Sequence, residues 1–90
     1  MSDTVKIEVY YADGCDYCTG AIHLLERKGV DIIRHRVDET PAVRAEMERR
    51  SQQTSVPQIF IGGRHVGGFD ELVELDMDDE LDPLLGLTQA

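Results

Sequence analysis

The sequence predicts an α/β domain: a four-stranded mixed sheet with flanking helices, in the order βαβαββα. Three features carry that reading. Val5, Ile7 and Val9 alternate with Lys6, Glu8 and Tyr10 at a period of two, residues 15–28 show helical spacing that stops at Gly29, and Gly62-Gly63 separates two short β-rich segments.

Each element follows in order. The opening alternation predicts a first strand with one face on a core. After Tyr11-Ala12-Asp13-Gly14 comes a helix from Cys15 to Lys28, with Cys18, Ile22 and Leu25 on one stripe and His23 and Arg27 opposite. Ile32, Ile33 and Val37 are β-branched and predict a second strand. Thr40-Pro41 offers a cap and a first-turn proline for a second helix reaching about Arg50. Gln58 to Ile61 reads as the third strand and Arg64 to Val66 as the fourth, joined by the glycine pair, and Gly67-Gly68 ends the sheet. Asp70 is placed to cap a third helix carrying Leu72, Val73 and Leu75, which Leu81, Leu84 and Leu85 extend or follow. Two strands joined by a helix should be parallel and connected right-handedly, which makes the whole order the thioredoxin-like topology.

Ninety residues with 41% hydrophobic content suit one modest core, so residues 1–90 are expected to form a single domain, a monomer without a large exposed apolar patch. The longest apolar stretch, Val56 to Gly63, is interrupted and too short for a bilayer, so no membrane association is expected. Residues 1–6 lack a basic and then apolar leader, so a reducing cytoplasm is the expected location. A net charge of -9 argues against nucleic acid as a partner. The acidic run from Asp76 to Asp82 reads as a solvated face.

Cys15 and Cys18 close too small a loop to be a useful structural staple, which leaves redox chemistry or metal binding. At a helix head, unpaired amides and the positive end of the dipole favour a thiolate over a thiol at Cys15. Cys18 rotates onto the Ile22 and Leu25 stripe and should be the more buried sulfur. That assigns attack on a disulfide to Cys15 and resolution of the mixed disulfide to Cys18. Zinc would need four ligands, and the histidines supply no second matching pair. His23 lies about 12 Å along the helix on its outer face, and His35 and His65 sit on strands separated by a helix. Two inert core cysteines are also a poor fit to the polar run Asp13-Gly14-Cys15-Asp16-Tyr17.

Cys15-Asp16-Tyr17-Cys18 after the first strand, Ser55-Val56-Pro57 before the third, and Gly67-Gly68-Phe69-Asp70 before the last long helix together resemble the glutaredoxin family, from Val5 to about Leu85. The resemblance is strongest to short bacterial dithiol members with Cys-Pro-Tyr-Cys. It implies a glutathione-dependent reductase of protein disulfides and glutathione mixed disulfides. Cys15 would be its nucleophile and Cys18 its resolving thiol. Tyr17 would wall the mixed disulfide, and Pro57 would be cis. The Ser55-Val56-Pro57 segment would offer the Val56 backbone to the cysteinyl unit of glutathione. Gly68, Phe69 and Asp70 would receive the γ-glutamyl end, and Arg44 the glycine carboxylate.

Two positions depart from the family pattern. Asp16 replaces the usual proline, and Ala12 stands where a lysine is common. Losing a cation and gaining an anion should leave the thiolate less stabilised than in such relatives. The couple should then be more reducing than the about -200 to -230 mV of glutaredoxins. Because some members without that proline hold a [2Fe-2S] cluster, the resemblance also implies an alternative. In it, Cys15 from each of two subunits and two glutathiones would bind a cluster in a dimer. A third reading is a redoxin fed directly by a flavoprotein reductase.

Overall fold

The structure is a computed structural model that describes residues 5–87. Strand β1 (Ile7–Tyr11) runs through the interior of the sheet, and Ile7, Glu8, Val9 and Tyr10 are all buried. The sequence expectation of one covered face is therefore corrected to two. Ile7 and Val9 point into one apolar layer, while Tyr10 packs with Val37, Met47 and Phe60 in another on the opposite face.

Helix α1 (Asp16–Arg27) follows, then β2 (Ile33–Arg36), α2 (Pro41–Ser51), β3 (Gln58–Ile61), β4 (Arg64–Gly67), α3 (Phe69–Met77) and the short α4 (Leu81–Leu84). The strand order is β2-β1-β3-β4. The β1–β2 pair is parallel, as a strand-helix-strand crossover requires, and β1–β3 and β3–β4 are antiparallel. This four-stranded mixed sheet with flanking helices is the thioredoxin-like fold.

Strand β2 is shorter than the β-branched residues suggested, with Ile32 before it, Val37 after it and Ile33 exposed, because it lies at a sheet edge. The β3–β4 turn forms on Gly62 and Gly63, whose φ values of 61° and 82° are those a two-residue hairpin of primed type needs at both positions.

The layer under α1, α3 and α4 is apolar and joins Ile7, Val9, Ile59 and Ile61 to Leu25, Leu72 and Leu81. The layer under α2 is mixed. Glu8, only 4% exposed, accepts both nitrogens of Arg50 at 3.0 and 3.1 Å and meets His35 Nε2 at 3.1 Å. Hydrogen bonding from the Arg50 guanidinium holds the Glu8 carboxyl below its ordinary range, although burial pushes the other way. The same guanidinium lies 4.1 Å from the Phe60 ring centroid and donates to the Tyr10 hydroxyl, which donates to Glu46.

Two caps differ from the sequence reading. Thr40 is the N-cap of α2 but makes no side-chain capping bond. Asp70 does not cap α3, whose N-cap is Gly68; it lies in the first turn, and Glu71 closes the helix end by accepting from Gly68 N at 2.7 Å. The acidic run is also not wholly solvated. Lys28 Nζ reaches Asp76 at 2.7 Å and Asp82 at 2.8 Å, tying the end of α1 to α3 and α4.

Candidate functional site

Residues 12–14 turn the chain from the end of β1 into α1, so the helix begins at the carboxyl end of a central strand, a usual place for sites in α/β sheets. Cys15 is the N-cap, with extended backbone, and its sulfur accepts from Cys18 N at 3.2 Å. The sulfur therefore takes one of the amides a helix start leaves unpaired. Its carbonyl accepts from Thr19 N at 3.0 Å and from Thr19 Oγ1 at 3.2 Å, which fixes the turn.

The two cysteines have different surroundings, as their spacing predicted. Both are free thiols; Cys15 is half-buried and Cys18 only 1% exposed. Burial first, and the neighbouring Cys15 second, push the Cys18 thiol up to about 12. Cys18 is held as a neutral reserve.

Across from Cys15 lies the loop before β3. The Val56–Pro57 bond is cis, and Val56 O stands 4.0 Å from Cys15 Sγ. Tyr17 from α1, then Ser55, Val56 and Pro57, then Gly68, Phe69 and Asp70 at the head of α3, line one cleft of about 280 Å³. Tyr17 is 65% exposed, and its ring centroid lies 6.0 Å from that of Phe69, so the two aromatics form the outer wall.

Arg44 is not brought into this lining. Its Nη1 donates to Thr54 O at 3.0 Å and lies 3.6 Å from Glu48, so it grips the loop from behind.

Two residues were missed, Glu71 and Gln58. Glu71 completes the cleft, and its carboxylate already occupies the Gly68 amide; the signal available was an acid three positions after a helix cap. Gly67 makes room for it, because a Cβ there would fall 2.8 Å from Glu71 Oε1, and its φ is 121°. Gln58, buried in β3, donates to Ser55 O at 3.0 Å and meets His65 Nε2 at 2.7 Å. Nothing in the sequence marks that pair, since Gln58 reads simply as a strand residue.

Asp16 is exposed in the first turn of α1. Nearby, Arg36 is engaged by Asp38 at 2.8 Å and Glu39 at 3.2 Å, so it offers little free positive charge to the cysteines. Among the described residues, no group of three or more His, Cys, Asp or Glu is arranged to hold a metal ion. With Cys18 enclosed, Cys15 is the one accessible thiol, so this chain alone would supply one of the four thiolates a cluster takes, as the dimeric alternative with two glutathiones already assumed. No helix among the described residues is long and apolar enough to cross a membrane.

Comparison with known proteins agrees with this geometry. The glutaredoxin family model matches residues 7–66. Glutaredoxin 3 of Escherichia coli strain K12 is 47% identical over 80 residues, covering 89% of this chain and 96% of that protein. The solution structure of glutaredoxin from Brucella melitensis superposes with a TM-score of 0.83 at 42% identity, covering 99% of this chain and 97% of the other. A buckwheat glutaredoxin–glutathione complex superposes equally well, with a TM-score of 0.83 at 29% identity, covering 91% of this chain and 77% of that one.

Proposed function

Since the chain belongs to the glutaredoxin family and carries its thiol–disulfide oxidoreductase role, we propose that it reduces glutathione mixed disulfides and protein disulfides, with glutathione as electron donor. The observation that carries this reading is the asymmetric cysteine pair at the head of α1, whose outer sulfur, Cys15 Sγ, lies 4.0 Å from the carbonyl of Val56, a residue that lines a cleft with the head of α3.

In the proposed cycle, the Cys15 thiolate attacks the glutathionyl sulfur of a mixed disulfide. The Cys15–glutathione bond forms, the substrate's S–S bond breaks, and the substrate leaves as a thiolate that takes a proton from solvent. A second glutathione thiolate then attacks the bound glutathionyl sulfur. Glutathione disulfide departs and Cys15 regains its electron pair.

For a protein disulfide, Cys15 attacks one substrate sulfur; the Cys15–substrate bond forms, the substrate's own S–S bond breaks, and its other sulfur leaves as a thiolate that takes a proton from solvent. That step removes the charge on Cys15, one of the causes that keep Cys18 protonated. Cys18 then gives its proton to solvent and attacks Cys15 Sγ; the Cys15–Cys18 bond forms, the Cys15–substrate bond breaks, and the substrate sulfur held there leaves as a thiolate that solvent protonates. Two glutathiones reduce the resulting Cys15–Cys18 disulfide.

The cleft supplies complementary contacts for the donor. Val56 offers backbone groups for strand-like pairing with the cysteinyl unit. Beyond Gly68 N, which Glu71 holds, the Phe69 and Asp70 amides heading α3 suit the γ-glutamyl carboxylate, and the Asp70 carboxylate suits its ammonium. The buckwheat relative was solved as a glutathione complex, in keeping with this ligand. Arg44 contributes by holding Thr54 rather than by lining the cleft. The proposed setting is a monomer in the reducing cytoplasm, with glutathionylated or disulfide-bonded proteins as partners.

Turnover of a glutathionylated peptide, supplied either with glutathione and its reductase or with thioredoxin reductase, tests the reading. Activity with the first system alone, with Cys18→Ser keeping deglutathionylation but losing most protein-disulfide reduction, is expected. Activity driven by thioredoxin reductase and indifferent to glutathione would contradict it.

A further inference from the structure

We infer that Gln58 is a positioning residue for glutathionyl substrates, acting through the Ser55–Val56 peptide, and that His65 sets its orientation. This rests on the proposed pairing of the Val56 backbone with glutathione. Gln58 is 3% exposed and lies outside the cleft lining. Its side chain borders a second hollow of about 410 Å³, which shares Ser55, Gly68 and Glu71 with the cleft.

Ser55 O can only accept, so the 3.0 Å contact requires Gln58 Nε2 to donate. The amide's other end, Oε1, therefore faces His65, and His65 Nε2 must carry the hydrogen in their 2.7 Å contact. Proton placement along the relay is thus set by the one member with no freedom, a backbone carbonyl. The consequence lies on the far side of the peptide plane. Ser55 C=O and Val56 N–H belong to one planar unit and point in opposite directions in its trans form, so holding the oxygen aims the N–H.

Neighbouring groups hold the rest of the loop. Ser51 Oγ accepts from Gln53 N at 3.1 Å, and Arg44 binds Thr54 O at 3.0 Å. Three successive loop residues are therefore tethered by side chains from α2 and β3, and the next residue, Val56, is left to face Cys15. A preset donor spares a ligand the cost of ordering it, and such pre-organisation appears in binding.

The test is steady-state kinetics of Gln58→Met, which keeps side-chain length and removes both hydrogen-bonding ends. Matched glutathionylated and cysteinylated peptides serve as substrates, and the iodoacetamide rate at Cys15 is measured in parallel. KM for the glutathionylated peptide should rise about tenfold, the equivalent of one lost, well-aligned hydrogen bond. The kcat, the Cys15 alkylation rate and turnover of the cysteinylated peptide should stay near wild type.

His65→Phe, at an exposed position, should raise the same KM less, and His65→Gln, which restores a donor, should return it. That pair decides the matter if Gln58→Met does not fold. Wild-type protein that does not prefer the glutathionylated peptide would defeat the pairing reading itself. Wild-type preference that survives undiminished in Gln58→Met and His65→Phe would overturn the role of Gln58 alone.

Discussion

On one face of the sheet Ile7, Val9, Ile59 and Ile61 meet Leu25, Leu72 and Leu81 beneath α1 and α3, whereas on the other Glu8 and Tyr10 meet Arg50 and Glu46 beneath α2. The first face carries the cysteine helix, and the second carries the helix whose Arg44 and Ser51 tether the loop opposite it. The cleft is the seam between them. Nonpolar packing tolerates small rotations of a helix, while a guanidinium held by a buried carboxylate and a phenol fixes direction. Placing the nucleophile on one face and its partner loop on the other makes their separation depend on both kinds of contact.

The largest expected effect lies on the apolar face. Leu25→Ala removes a fully buried side chain and should cost about 3 kcal/mol in urea unfolding. A loss under about 1 kcal/mol would mean that α1 is less firmly seated than its packing indicates.

Breaking the polar face should cost somewhat less. Glu8→Ala strands Arg50, but the Arg50 side chain keeps 29% of its exposure, so about 2 kcal/mol is expected rather than the larger figure for a fully enclosed pair. Glu8→Leu combined with Arg50→Met should recover part of that loss in a double-mutant cycle, which a purely additive result would rule out.

The two faces also predict opposite pH limits. The Glu8 carboxyl is lowered in the folded chain, so its contribution is present above the ordinary value of 4.5 and disappears as pH falls through the folded value. The Cys18 thiol is raised from 9.0 to about 12, so the unfolded chain ionises first and stability falls as pH climbs between those values. Urea titrations should show Glu8→Gln flattening the acid limb and Cys18→Ala flattening the alkaline one. A swap or absence of these effects would reassign the limbs.

The smallest effect concerns Asp16. Asp16→Pro removes an exposed negative charge beside Cys15 and should shift the couple in the oxidising direction by on the order of 10 to 30 mV. No shift by direct potentiometry would show that solvent already screens the aspartate.

The apolar face was legible in the sequence because Ile7, Val9, Cys18, Ile22 and Leu25 obey the periods of their elements. The hairpin was legible because only glycine suits both of its turn positions so well. Glu8 was misread as solvent-facing, since alternation cannot reveal that a buried charge has a partner 42 residues away. The same blindness hid Gln58, whose partners Ser55 and His65 meet it only through the hairpin and the loop before it. Asp70 was taken for a cap because an acid near a helix start suits several positions, and the N-cap residue, Gly68, has no side chain to signal it.

The most direct test is competitive alkylation near pH 7 with iodoacetamide, mapped by peptide mass spectrometry on the reduced protein. Rapid modification at residue 15 alone, with residue 18 labelled only after denaturation, is what an amide-stabilised sulfur at the head of α1 and an enclosed one behind it predict. Equal labelling of both sulfurs, or faster labelling at residue 18, would contradict it.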